Sequence, residues 1–185
     1  MKRLLSILLL AGLTGCHTFV KMKPDYADLP TDTLREVAKE IEQAVQDGNR
    51  DAQIADRGGV VVSTEEIRQA IRTRAARAQL VNAFLKTGHA WERRNGVLDI
   101  LRTREYKKFG TSKDRDRNAL VVMSENADRW AIYEGVIDAG HFPAKSLGAV
   151  QRIFFEARIE SLPDGAQYED ESGNAVYKGG QPPAP

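Results

Sequence analysis

The sequence predicts a mainly α-helical small domain closed by a short C-terminal β-hairpin. Three observations lead there. Residues 31–47 and 63–85 carry apolar side chains at helical spacing, each behind residues that favour helix starts. Residues 112–138 carry a third and longer pattern of the same kind. The end of the chain changes period: Gln167-Tyr168-Glu169 and Ala175-Val176-Tyr177-Lys178 flank Ser172-Gly173, as strands flank a turn. With 42% hydrophobic and 29% charged residues, the composition is that of a folded globular chain rather than a disordered one.

Thr31 to Asp47 reads as an amphipathic helix. Leu34, Val37, Ala38, Ile41 and Val45 fall on one face, Thr33 and Glu36 have capping-box spacing, and Gly48 is a stop. Residues 49–59 are polar and glycine-rich, hence a loop. Val60-Val61-Val62 is too short to assign to a strand and reads as an apolar lead-in packed on the next helix. That helix starts at Ser63, with Glu66 as its capping partner, and runs through Ile67, Ile71, Ala75, Ala78, Val81 or Asn82, and Leu85. Arg68, Arg72, Arg74 and Arg77 give it a basic side. Contact with lipid phosphates or an acidic partner is one reading; a solvated helix face is the plainer one.

Residues 85–98, LKTGHAWERRNGVL, form the central loop. Gly88 and Gly96 bracket Trp91 and Glu92. Glycine is the default residue where a backbone turns sharply, so this loop is expected to be anchored. Residues 97–109 are ambiguous, with a short helix favoured over a strand. In the helix expected at 112–138, Ala119, Val122, Met123, Asn126, Trp130, Tyr133 and Ile137 share a broad face, and Gly140 ends it. Pro143 suits the first position of a last helix, whose buried stripe is Leu147, Val150, Phe154 and Ala157. Residues 179–185 are expected to be a disordered tail.

The N-terminus speaks to location. Met1-Lys2-Arg3 is basic, the apolar run that follows is too brief to span a bilayer comfortably, and it ends in Leu13-Thr14-Gly15-Cys16. This resembles the bacterial lipobox, which implies a lipoprotein signal peptide over 1–15 and lipidation of Cys16. That is the one cysteine of the chain, so no internal disulfide can form. Acyl chains, at about 0.8 kcal/mol per buried methylene, would anchor it without a transmembrane helix. His17 after the cysteine, rather than an aspartate, resembles the sorting signal for an outer-membrane anchor facing the periplasm. Residues 16–30 then read as a tether. Removing Lys2 and Arg3 from 27 basic residues against 26 acidic ones leaves the mature chain near neutral, which argues against nucleic acid as a partner.

Three motifs in order carry a family resemblance. Gly88-His89-Ala90-Trp91-Glu92 with Gly96-Val97-Leu98 is similar to Gly-x-x-Gly-Glu then Gly-Tyr-Leu. Asn126, Arg129 and Tyr133 match Asn-x-x-Arg-x-x-x-Tyr. Residues 163–165, Tyr168, Gly173, Val176 and Lys178 match a closing segment that usually contains Gly-x-Trp-Val-x-Lys. Residues 85–178 thus resemble the YdbL-like family of bacterial periplasmic proteins, a domain of unknown function. Trp91, Val97 and Ala175 depart from the family's glycine, tyrosine and tryptophan, and residues 31–84 are an additional N-terminal helical region. The resemblance implies a non-enzymatic chaperone or modulator of an envelope assembly. Family members accompany AsmA-like intermembrane proteins that move phospholipid, and a small outer-membrane lipoprotein. A passive structural lipoprotein is the alternative, and an envelope hydrolase a more distant one.

No catalytic set emerges from the residues. Glu92 lacks a second acid, nucleophile or metal at recognisable spacing and is expected to accept loop amide hydrogens and pair with Arg129. Asn126 and Tyr133 would help hold the loop to the 112–138 helix. His17, His89 and His141 are scattered, so no metal site is expected, and no cofactor motif occurs. Trp91 and Trp130 read as plugs rather than ligand platforms.

Overall fold

The computed structural model describes residues 29–180, apart from Phe109 and the side chain of Glu105. The signal segment, Cys16 and the tether through Asp28 lie outside it, as does the tail beyond Gly180. The described chain is mainly α, with a small sheet completed by the C-terminal hairpin. Helix α1 spans Thr31–Gln46, α2 Glu65–Lys86, α3 Arg104–Lys108, α4 Ser112–Ala139 and α5 Leu147–Ser161. Strand β1 is Ala90–Glu92, β2 Leu98–Ile100, β3 Gln167–Glu169 and β4 Ala175–Tyr177. No helix among the described residues is long and apolar enough to cross a membrane.

The long helices form where the periodicity places them, because each has an apolar stripe to bury. Leu34, Val37, Ala38, Ile41 and Val45 of α1 are buried as expected. Val60 and Val62 are fully buried ahead of α2, and Val60 bridges Arg57 across a tight turn. The starts differ by a residue or two. Pro30 precedes α1 and no side chain caps it, so Thr33–Glu36 is not a capping box. Thr64, not Ser63, caps α2, its hydroxyl accepting the Ile67 N–H. The capping box that does form is Thr111 with Asp114, at the head of α4. Pro143 precedes a single 3₁₀ turn, Ala144–Ser146, and α5 begins only at Leu147. The left-handed residue after α4 is His141 (φ 54°), not Gly140. A Cβ on Gly140 would lie 2.3 Å from the Phe142 ring, so that glycine makes room rather than a turn. On α4, Met123 is 66% exposed, so the broad apolar face expected there is narrower.

The largest departure is at residues 85–100. The expected loop is a β-hairpin, with Glu92 opposite Leu98 and Trp91 opposite Asp99. Helix occurs only later, in the short α3. β3 adds parallel to β1 through Glu92 and Tyr168, and β4 adds antiparallel to β3, for a strand order β2-β1-β3-β4. Neither hairpin is stable alone in water; each supplies the other's neighbour. Leu29, within the expected tether, is buried in the core, and Gly179 and Gly180 of the expected tail belong to a 3₁₀ turn over residues 178–180.

Two apolar clusters result. The larger joins α1, the first half of α2, the second half of α4 and α5. The smaller joins the end of α2, the β1–β2 hairpin, Val122, Leu162 and Ala166. Where α2 crosses α4, Gly135 lets the helices close up: a Cβ there would sit 2.7 Å from Ile67 Cγ1. Gly148 in α5 meets nothing within 4 Å. Replacing a helical glycine by alanine gains up to about 1 kcal/mol, and overpacking a core costs about 1–3 kcal/mol. Gly148→Ala should therefore raise stability and Gly135→Ala lower it, as read by denaturant unfolding. The reverse order would mean that the two helices are not in close contact.

Candidate functional site

Between the two apolar clusters lies a closed ring of six buried ionised side chains. Each of the four long helices contributes from within its apolar stripe: Glu42 from α1, Arg74 from α2, Glu125 and Arg129 from α4, Arg158 from α5. Glu92 comes from β1, where the strand's alternation turns Ala90 and Glu92 inward and leaves Trp91 outside. All six are at most 2% exposed.

The charges alternate around the ring. Arg74 donates to both oxygens of Glu42, at 3.0 and 2.8 Å, and its Nε donates to Glu125 Oε1 at 2.9 Å. Arg129 Nε donates to the same Glu125 oxygen at 2.9 Å. Its two terminal nitrogens hold Glu92 bidentately at 2.7 and 2.8 Å. Arg158 Nη1 reaches Glu92 at 3.3 Å, and its Nη2 and Nε close on Glu42 at 2.9 and 3.2 Å. A void of ≈ 10 Å³ adjoins the ring, about the minimum for one water.

Arg77, half-buried, donates to Glu125 Oε2 at 3.3 Å and to Asp128, extending the ring toward solvent.

The expected clamp residues sit on this ring. Glu92 and Arg129 make the expected pair, but Glu92 lies in a strand, and its oxygens are held by guanidiniums rather than by loop amides. Asn126 grips β2: its Oδ1 accepts the Leu98 N–H and its Nδ2 donates to the Leu98 carbonyl, both at 2.8 Å. The Tyr133 hydroxyl donates to the Gly96 carbonyl at 2.7 Å and accepts from Arg158 at 3.0 Å. Gly96 is left-handed (φ 83°), and a Cβ there would press on the Tyr133 hydroxyl at 3.0 Å. Gly88 is left-handed too (φ 69°) and closes α2, with His89 N–H donating to Phe84 O. Trp91 is not part of the ring. It lies half-buried on the sheet's outer face, with the Arg93 guanidinium 4.8 Å from its ring centre.

Four members of the ring were not anticipated as such: Glu42, Arg74, Glu125 and Arg158. The basic-face reading puts Arg74 among solvated cations, yet of that group only Arg68 and Arg72 are exposed. The signal was present: Glu42 follows Ala38 by four residues and Arg158 follows Phe154 by four, so both stand in the apolar stripe. Among the described residues, no group of His, Cys, Asp and Glu is placed to hold a metal ion.

Burial opposes the charges of Glu42, Arg74, Glu125, Arg129 and Arg158, and the neighbours overcome it. Burial alone would raise the Glu42 carboxyl, but the charges and hydrogen bonds of Arg158 and Arg74 hold it at about 2. Glu125 is likewise held well below the usual carboxylate range by Arg74 and Arg129, against burial. Burial and the like charge of Arg158 act to lower Arg129, and Glu92 with Glu125 raises it above its ordinary value. No ring atom is left without a hydrogen-bond partner. The arrangement can therefore lock the helices and sheet together, and every carboxylate in it is neutralised by two or more guanidiniums.

Removing one member strands an unpaired buried charge, which costs about 3–5 kcal/mol. Glu92→Ala and Arg129→Ala should each lose that much in denaturant unfolding, and Asn126→Ala about 1–3 kcal/mol for its two backbone bonds. Wild-type stability from all three would refute the lock. The Glu42 shift, from 4.5 to about 2, is worth about 3 kcal/mol. Because the folded value is the lower one, that stability is complete above about pH 4.5 and disappears as pH falls toward 2. Unfolding followed from neutral pH downward should show this loss, and the gap between wild type and Glu42→Gln should narrow with acid. A gap that stays constant would show that Glu42 is not held ionised by the ring. No protein-family model, curated protein or solved structure matches this chain.

Proposed function

We propose that this chain is a periplasm-facing lipoprotein, anchored in the outer membrane through acylated Cys16, that works without catalysis as a chaperone or modulator of an envelope assembly. The assembly suggested by the resemblance of residues 85–178 to the YdbL-like family is AsmA-like intermembrane phospholipid transport, with a small outer-membrane lipoprotein as a further partner. The lipobox-like Leu13-Thr14-Gly15-Cys16 supports the anchor. The observation that carries the non-catalytic part is the closure of the charged ring. Its three carboxylates each face at least two guanidiniums, and the adjoining void is water-sized. A general acid or nucleophile needs a proton or lone pair directed at a substrate. Here those lone pairs point at arginines. The surface outside the ring is then what remains to act, as in a scaffold that presents a fixed shape to a partner.

The test is recovery of the partner. Cross-linking in intact cells, followed by mass spectrometry of the captured material, is expected to yield an AsmA-like protein, and Cys16→Ser is expected to release the chain from the membrane fraction. Capture of cell-wall fragments alone would favour the passive structural lipoprotein instead. Hydrolysis of an envelope polymer by the purified chain, lost in Glu92→Gln, would overturn the non-catalytic reading.

A further inference from the structure

The exposed apolar side chains of this molecule gather at one corner. Among the described residues, the large hydrophobic side chains open to solvent are Leu80, Leu120 and Met123, at 43, 64 and 66% exposure. Arg77 of α2 donates to the Ser124 carbonyl of α4, and Thr73 reaches Asp128. The helices are thus antiparallel, which brings Leu80 level with the part of α4 that carries Leu120 and Met123. Lys113, Arg117 and Leu120 are spaced by four and three residues, so they share a face of α4.

The same corner is the basic end of the chain. Residues 102–117 hold seven basic residues against three acidic ones, in a chain whose net charge is +1. Arg102, Arg104, Lys107, Lys108 and Lys113 are exposed, and none forms an ion pair within the described residues. Elsewhere some surface cations are matched, as Lys39 is with Glu160, Arg57 with Glu40, and Arg93 with Glu169 and Asp99. The exposed ones without an ion pair among the described residues, such as Arg50, Lys86, Lys145 and Arg152, lie scattered along the sequence rather than in one run.

We propose that this corner, made of α3, the first half of α4 and Leu80 of α2, rests on a phospholipid surface with anionic headgroups. The cations meet phosphates, while Leu120 and Met123 enter the boundary between headgroups and acyl chains. An unbranched methionine adapts to such a boundary. The inference rests on the Cys16 anchor for the nearness of the membrane. Residues 17–28, fully extended, reach at most about 45 Å, and a domain of this size is about 40 Å across. Any face can therefore turn to the bilayer, and the chemistry of the surface selects this one. An acidic protein is the other conceivable occupant; the bilayer is favoured because the anchor holds it at high effective concentration.

The experiment uses the full chain in vesicles that contain nitroxide-labelled phospholipid. With Cys16 acylated, Met123→Cys supplies one free thiol for a fluorophore, and Asn174→Cys on the distant β3–β4 hairpin serves as the control. In phosphatidylcholine vesicles that include phosphatidylglycerol, position 123 is expected to be quenched and position 174 not. Each basic residue near an anionic surface is worth about fivefold in partition. Reversing Lys107, Lys108 and Lys113 together to glutamate should therefore bring quenching at 123 down to the control, as should phosphatidylcholine alone. Equal quenching at both positions, or none at 123 with anionic lipid, would overturn the proposal, and the second result would hand the face to an acidic protein. Two fluorophores per chain would show a free Cys16, which is failure of the anchor and not of this face.

Discussion

Six ionised side chains taken out of water must each meet opposite charge, and in this chain they meet one another. The ring Glu42–Arg74–Glu125–Arg129–Glu92–Arg158 draws on four helices and a strand. Desolvation of so many charges offsets much of the Coulomb attraction, so net stability is not what the ring chiefly supplies. What it supplies is a single arrangement. Sliding any one helix by a turn would leave a buried charge unpaired, a cost no apolar contact recovers. Bidentate arginine–carboxylate geometry, made by Arg74 on Glu42 and by Arg129 on Glu92, narrows the choice further.

The ring also joins parts of the chain that lie far apart in sequence. Glu42 and Arg74 come from the helical region over 31–84, and the other four members from residues 85–178. Along α4 the order is Val122 in the smaller apolar cluster, then Glu125 and Arg129, then Ile132 in the larger one. Ala157 of α5, in the larger cluster, and Leu162 just beyond its end, in the smaller one, stand on either side of Arg158 in the same way. The charged layer is therefore the seam between the helical body and the sheet end. Asn126 and Tyr133, which bind the backbone of Leu98 and Gly96, fasten the β1–β2 hairpin to that seam.

Such a body suits presentation of a fixed surface. The buried charges are spent on one another, and the outside carries a basic and apolar corner at α3 and α4. Under the proposed function, one side of this scaffold would face lipid and another would be free for a partner, as an adaptor in a phospholipid-handling assembly requires.

The helices were legible in the sequence because an apolar stripe at a 3.6-residue period depends only on local geometry. So were the closing hairpin, with its turn at Ser172-Gly173, and the pairing of Glu92 with Arg129. Cap positions slipped where several Ser, Thr and Pro compete within a residue or two, as at Ser63 and Thr64. The β1–β2 hairpin was hidden because strands of three residues carry almost no periodic signal, and β1 is held in a sheet by β3, whose Tyr168 pairs with Glu92 from 76 residues later. The ring was hidden for a related reason. Glu42, Arg74, Glu125 and Arg158 stand in apolar stripes, yet a lone charge at such a position reads as the edge of a solvated face. Whether it is solvated depends on an opposite charge delivered by another helix, and that is decided by packing across the molecule, not by any one segment.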